Sequence, residues 1–176
     1  MTRYAAFLRG VNVGGINLKM ADVADALADA GLAEVRTILA TGNITLESRA
    51  GADTVRAKAE TALRKRFGYD AWVLAYDINT VAAISDSYPF EREVSDTHSY
   101  VTFVSDTDVL DELVELADQA TADEKIGRGP GSAGVIYWQV PKNNTLDSTI
   151  GKTMGKKRYK SSTTTRNMRT LAKVLR

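Results

Sequence analysis

The chain has 176 residues, 44% of them hydrophobic, a formal net charge of +1, no cysteine and one histidine, His98. Without cysteine there is no disulfide framework, thiol nucleophile or thiolate metal site, and one histidine cannot build a His cluster; no metal site and no cofactor is implied. The near-zero charge hides an asymmetry. Residues 151–176 hold nine of the 23 Lys and Arg and none of the 22 Asp and Glu, so this end carries +9 and residues 1–150 carry −8.

Tyr4–Arg9 reads as a buried strand and Gly10–Asn17 as a Gly/Asn loop. Met20–Ala30 places Met20, Val23, Ala24, Leu27 and Ala28 on one helical face, and Gly31 suits the residue after a helix. Val35–Ala40 is a strand, Thr41-Gly42-Asn43 a turn of hairpin length, and Ile44–Glu47 the next strand. Ala52–Phe67 is a helix with Val55, Ala59, Ala62, Leu63 and Phe67 inward, and Ala71–Tyr76 is a fourth strand. This is the β-α-β-β-α-β order of a ferredoxin-like unit.

The second half starts in the same way. Asp77–Ser87 reads as a short helix that stops at Tyr88-Pro89, with core aromatics there. Ser99–Ser105 is a strand, Val109–Ala120 an amphipathic helix, and Glu124–Arg128 and Val135–Val140 two further strands. Helices are expected over Leu146–Met154 and Thr165–Leu175, and mobility over Gly127–Gly134. The expected fold is α+β, with two ferredoxin-like pseudo-repeats, the second imperfect, and a C-terminal basic helix. The halves divide at residues 1–76 and 77–176.

No apolar run reaches the ~20 residues of a membrane span, and the start lacks signal-peptide character, so the expectation is a cytoplasmic protein with no membrane partner. His98, in a polar stretch, reads as a surface residue. Glu91, Glu93 and Asp96 read as a solvated loop, and Trp72, Tyr137 and Trp138 as core.

Three constellations carry potential chemistry. Arg9-Gly10-Val11-Asn12-Val13-Gly14-Gly15-Ile16-Asn17 lies between a strand and a helix, where glycines let backbone N–H groups turn toward an anion. Arg9 would add a charged fork, and Asn12 and Asn17 neutral donors. Thr41-Gly42-Asn43 is by itself an ordinary turn. The third is the basic end: Lys152, Lys156, Lys157, Arg158 and Lys160, then Thr164-Thr165-Arg166-Asn167. As the start of a helix, that last group would put Arg166 in the first turn. A cation opposes the dipole there unless an anion binds beside it. Gly151-Lys152-Thr153 is not a phosphate loop, because the required upstream glycine falls on Leu146.

Taken together, Arg9–Gly15, Thr41–Asn43 and Thr164–Asn167 resemble the bacterial domain-of-unknown-function 1697 family (DUF1697). Thr41 stands where the family usually has serine, and Met168 where it commonly has tryptophan. The resemblance implies ferredoxin-like halves and no established reaction. It also implies that Arg9, Asn12, Gly14, Gly15, Gly42, Asn43, Thr165, Arg166 and Asn167 matter as a group, expected to meet in one anion-accepting cleft with Lys156 at its edge.

Three functions fit these residues. The first is binding of an anionic or phosphorylated small molecule, or of a nucleic acid held by charge. The strand Asn43–Ser48 lacks stacking aromatics, so the RRM mode is not expected. The second is an enzyme on a small anionic substrate, with Lys156 or Tyr159 as acid or base. In the third, the motifs are turn and cap residues, and the basic end neutralises the acidic body.

Overall fold

The computed structural model describes residues 1–9, 17–130 and 134–176. The chain forms two compact units, Met1–Ala82 with Lys173–Arg176, and Ala83–Ala172.

The first unit runs β1 (Thr2–Arg9), α1 (Met20–Asp29), β2 (Ala33–Ile38), β3 (Asn43–Ser48), α2 (Ala52–Phe67) and β4 (Trp72–Asp77). Its sheet is antiparallel in the order β2-β3-β1-β4. Strand residues alternate between faces, so Tyr4, Ala6 and Leu8 of β1, Ile44 and Leu46 of β3, and Val73 of β4 share a core with Val23 and Leu27 of α1 and Val55, Ala59 and Leu63 of α2. The expected inward face of α1 is slightly rotated: Ala26 is buried and Ala28 exposed. Glu60 is also buried in α2. Its Oε2 accepts the Val73 N–H at 3.1 Å, and its Oε1 accepts from Arg56 at 2.9 Å. The carboxylate thereby satisfies an edge-strand donor that no neighbouring strand reaches.

The second unit runs through α3 (Ile78–Asp86, which begins in the first unit), β5 (Thr97–Val104), α4 (Thr107–Glu115), a 3₁₀ turn (Leu116–Gln119), β6 (Lys125–Arg128), β7 (Val135–Pro141), α5 (Thr149–Met154), α6 (Lys157–Lys160) and β8 (Thr163–Asn167); α7 (Met168–Val174) follows. The sheet order β6-β7-β5-β8 repeats that of the first unit. Ile136, Trp138 and Val140 of β7 pack with Val109, Leu110 and Leu113 of α4 and Ile150 of α5. On the other face Tyr137 meets Tyr88 edge-on at 5.6 Å and donates to the Ile84 carbonyl, so of Tyr88-Pro89-Phe90 the Tyr88 ring lies in the core, with Phe90 partly buried against it at 5.5 Å.

Four expectations are corrected. Thr165–Leu175 is not one helix. Thr163–Asn167 is a strand paired with β5, from Val104↔Thr163 to Tyr100↔Asn167. Three consecutive β-branched threonines favour a pleated edge over a helix turn. The second repeat is thereby complete. Arg166 consequently lies on a strand, and the cap belongs to Asn167, whose Oδ1 accepts the Arg169 N–H at 2.9 Å. The helix expected from Leu146 begins only at Thr149, with Ser148 capping the Gly151 N–H at 3.1 Å. Trp72 is 39% exposed because it opens an edge strand, and His98 lies within β5, half-buried. Of the loop Gly127–Gly134, residues 131–133 lie outside the described residues.

Among the described residues, no helix is long and apolar enough to cross a membrane, and no group of three His, Cys, Asp or Glu could hold a metal ion.

Candidate functional site

In the first unit two of the motifs meet. Arg9 ends β1, half-buried, and burial lowers its pKa from the usual arginine value. Asn12, Gly14 and Gly15 lie outside the described residues, and Asn17 is exposed. One residue before Arg9, the Leu8 N–H donates to the Gly42 carbonyl at 2.8 Å, and Phe7 pairs with Asn43. Gly42 has φ of +82°, which a side chain would resist. Leu39, in the same turn, takes a left-handed φ of +61° while half its surface faces water. Asn43 is fully buried, and its Nδ2 donates to the Ile38 carbonyl at 3.0 Å and to Thr41 Oγ1 at 2.8 Å. That amide closes the turn from inside and holds it against the end of β1.

On the other side of Arg9, its register partner is Trp72. The Arg64 guanidinium stands 5.4 Å from the indole centroid, fixed by two hydrogen bonds to the Ala71 carbonyl at 2.9 and 3.1 Å. Sequence reasoning missed this pair. A tryptophan in a strand reads as core, and only sheet order makes β4 an edge. Elsewhere in the unit, a groove of about 680 Å³ between α1 and α2 is lined by alanines, Lys58, Lys65 and Arg66, and no motif residue lines it.

The third motif occupies the second unit. Thr165 hydrogen-bonds Thr102 through their hydroxyls at 2.8 Å, and Thr102 accepts the Trp138 indole N–H at 2.9 Å. Arg166 is only 9% exposed, and its Nη1 donates to the Thr165 carbonyl at 2.8 Å and to Thr164 Oγ1 at 3.4 Å. Burial pulls its pKa down to about 10, which leaves it charged at neutral pH. The strand is tied to the lysine-bearing segment, since Thr163 Oγ1 donates to the Tyr159 carbonyl at 2.8 Å.

Within the basic end, Arg158 and Arg169 differ from the lysines of residues 152–160. Arg158 grips Glu112 with two hydrogen bonds of 3.0 and 2.5 Å, and Arg169 reaches Glu93 at 2.9 Å. The Arg158 bonds hold the Glu112 carboxyl below its ordinary pKa. Lys152, Lys156, Lys157 and Lys160 are all exposed and, among the described residues, form no ion pair. Their scaffold is built with care. Glu124, buried, accepts the Thr149 N–H with both oxygens at 3.2 and 3.3 Å, and Ser148 caps the same short helix. Gly151 approaches the Thr145 carbonyl so closely that a Cβ would lie 1.9 Å from its oxygen.

The two buried carboxylates, Glu60 and Glu124, thus both serve backbone N–H groups. The buried Tyr137 hydroxyl is pushed up to about 12, chiefly by desolvation, with Arg92 acting the other way. The Tyr137 hydroxyl therefore stays protonated at neutral pH.

A family model described as "Protein of unknown function (DUF1697)" matches residues 1–132. The match ends before Thr164–Asn167. Among solved structures, the conserved bacterial protein SP0830 from Streptococcus pneumoniae has 22% identity and a TM-score of 0.77, over 98% of this chain and 96% of that one. The likeness is one of fold, and it extends through the second unit. An unknown protein from Galdieria sulphuraria aligns over 94% of this chain and 98% of its own, at 10% identity and a TM-score of 0.28. No curated protein matches the sequence.

Proposed function

The chain belongs to the DUF1697 family of proteins of unknown function, and we propose that it binds an anionic, phosphorylated ligand, such as a nucleotide or nucleic acid, through the lysines of residues 152–160. One observation carries the reading: two arginines of the basic end, Arg158 and Arg169, are paired with Glu112 and Glu93, and the four lysines of residues 152–160 are exposed and, among the described residues, form no ion pair. Neutralising acidic residues therefore accounts for Arg158 and Arg169 and leaves the four lysines unexplained. Ammonium groups on flexible stems suit phosphate oxygens presented in varied geometry. A separate anion contact is proposed for the first unit, at Arg9 and the residues Asn12, Gly14 and Gly15 that follow it in the sequence.

For Asn43, Thr165 and Asn167 a structural role is better supported, because their side chains hydrogen-bond to the turn, to Thr102 and to the start of α7.

The test is a thermal-shift and binding screen against nucleotides, phosphorylated metabolites and short RNA and DNA, beside a Lys152/Lys156/Lys157/Lys160→Gln variant. If all four lysines contact phosphates of a single strand, log K should fall with log salt at a slope of about −2.8, roughly 50-fold between 50 and 200 mM. The variant should lose most of that slope. Ligand stabilisation that survives unchanged in the variant, or none with any ligand class, refutes the proposal.

A further inference from the structure

The groove between α1 and α2 of the first unit, about 680 Å³, falls within the size range of small-molecule sites. Small side chains create it. Ala26 and Ala30 of α1 line it together with Ala57, Thr61 and Ala62 of α2, so neither helix offers a side chain large enough to fill the space between them. The floor is therefore made largely of methyl groups left against water.

Around that floor the charge is one-sided. Lys58, Lys65 and Arg66 line the groove with a single carboxylate, Asp29. Asp29 lies 3.7 Å from Arg66 and offsets it. Lys58 and Lys65 are exposed and, among the described residues, form no ion pair. Two helical turns separate them, about 10 Å along one side of α2. Their methylene stems extend the apolar wall while the ammonium groups stay in water.

The shape and chemistry narrow the occupant. Among the described residues that line the groove there is no aromatic ring and no glycine, so nothing in it stacks a base or wraps a phosphate in backbone N–H groups. From Ala57 to Arg66 the lined stretch of α2 rises about 13 Å. A partner helix of that length, at least ~10 Å across, has a volume of about 1,000 Å³ and would ride over the groove instead of filling it.

We propose that this groove binds an amphipathic organic anion, an unbranched acyl chain with a carboxylate head, the chain on the alanine floor and the carboxylate at Lys58 or Lys65. The two parts of the ligand do different work. An exposed ammonium–carboxylate pair contributes little, whereas each methylene removed from water tightens binding by up to about 4-fold. The chain supplies affinity and the lysines select the sign of the head. The site uses none of the lysines of residues 152–160, so it stands or falls separately from the function proposed above.

The full chain is titrated by calorimetry with octanoate and decanoate, and with decanol and decyltrimethylammonium as charge controls. Decanoate should bind more tightly than octanoate, by up to about 15-fold for its two added methylenes, and more tightly than decyltrimethylammonium. Ala57→Leu/Thr61→Leu fills the groove from two exposed positions of α2 with a good helix former, so it should lose decanoate and keep the parent's melting temperature. Lys58→Gln/Lys65→Gln should weaken decanoate by about 1.5- to 5-fold and leave decanol unchanged. The Lys152/Lys156/Lys157/Lys160→Gln variant should bind decanoate like the parent. Equal binding of decanoate and decyltrimethylammonium, or decanoate binding undiminished in Ala57→Leu/Thr61→Leu, overturns the proposal. Decanoate binding lost only in the four-lysine variant overturns it too, and leaves the lysine reading standing. A parent chain that sediments as a dimer and becomes a monomer in Ala57→Leu/Thr61→Leu also overturns it, since a second copy then covers the groove.

Discussion

Replacing Gly151 with alanine should destabilise the second unit, although alanine is the better helix former. The new methyl would lie 1.9 Å from the Thr145 oxygen, 3.0 Å from the Thr145 carbonyl carbon and 2.8 Å from Ser148 Oγ. No side-chain rotation relieves a clash with a backbone carbonyl, so the Thr145–Ser148 turn must move. Moving it disturbs two bonds at once: Ser148 Oγ to the Thr145 carbonyl (2.7 Å), and the Gly151 N–H to Ser148 Oγ (3.1 Å). Forcing an extra methyl into packed structure costs about 1–3 kcal/mol, and a lost N-cap about 1 kcal/mol more. The sum, roughly 2–4 kcal/mol, should lower the melting temperature by about 5–15 °C for a chain of this size. Gly155→Ala is the internal control. Its Cβ would meet nothing closer than the Lys152 carbonyl oxygen at 3.4 Å, and its φ of −68° suits any residue. It should be stabilising by about 0.4–1 kcal/mol through the unfolded chain. Circular-dichroism melts and urea titrations of both variants measure the difference. A Gly151→Ala protein as stable as Gly155→Ala would refute the close approach and, with it, this account of how the lysine segment is held.

Three further outcomes follow from the buried polar groups. Glu60→Leu should cost about 1–3 kcal/mol by leaving the Val73 N–H without its acceptor, and hydrogen exchange at that amide should quicken selectively. Thr102→Val, nearly isosteric, should cost a similar amount because the Trp138 indole N–H loses its partner; urea unfolding measures it. The Tyr137 hydroxyl ionises near pH 10 when unfolded and at about 12 when folded. Its neutral form is thus favoured in the folded state. That contribution is complete below pH 10 and is lost as pH rises toward 12. Tyr137→Phe should be less stable at pH 8, for want of the bond to Ile84, yet less sensitive to pH between 10 and 12.

The first unit was legible because its signals are local. Strands alternate, Gly31 and Gly68 mark helix ends, and the Thr41-Gly42-Asn43 turn separates two short strands. The end of the second unit was not. Thr163–Asn167 before an apolar helical pattern reads as a helix cap, and only pairing with β5, some 60 residues earlier, makes it a strand. The site residues divide on the same ground. Charge asymmetry identified the basic end, but which cations would be spent on internal carboxylates depends on where Glu112 and Glu93 lie after folding. Trp72 carries no local mark of exposure, since its environment is set by β4 being the last strand of its sheet.

In both sheets the opening strand lies between the third and the last strand of its unit. During synthesis β1 can complete its pairing once Asp77 has emerged, with only the final residues 173–176 still to join that unit. The opening strand of the second unit waits until Asn167, about 90 residues after Asp77. A ribosome paused after Asp77 has emerged and before Asn167 has should therefore carry an ordered first sheet and an incomplete second one whose strand edge is open to chaperones or to another nascent chain.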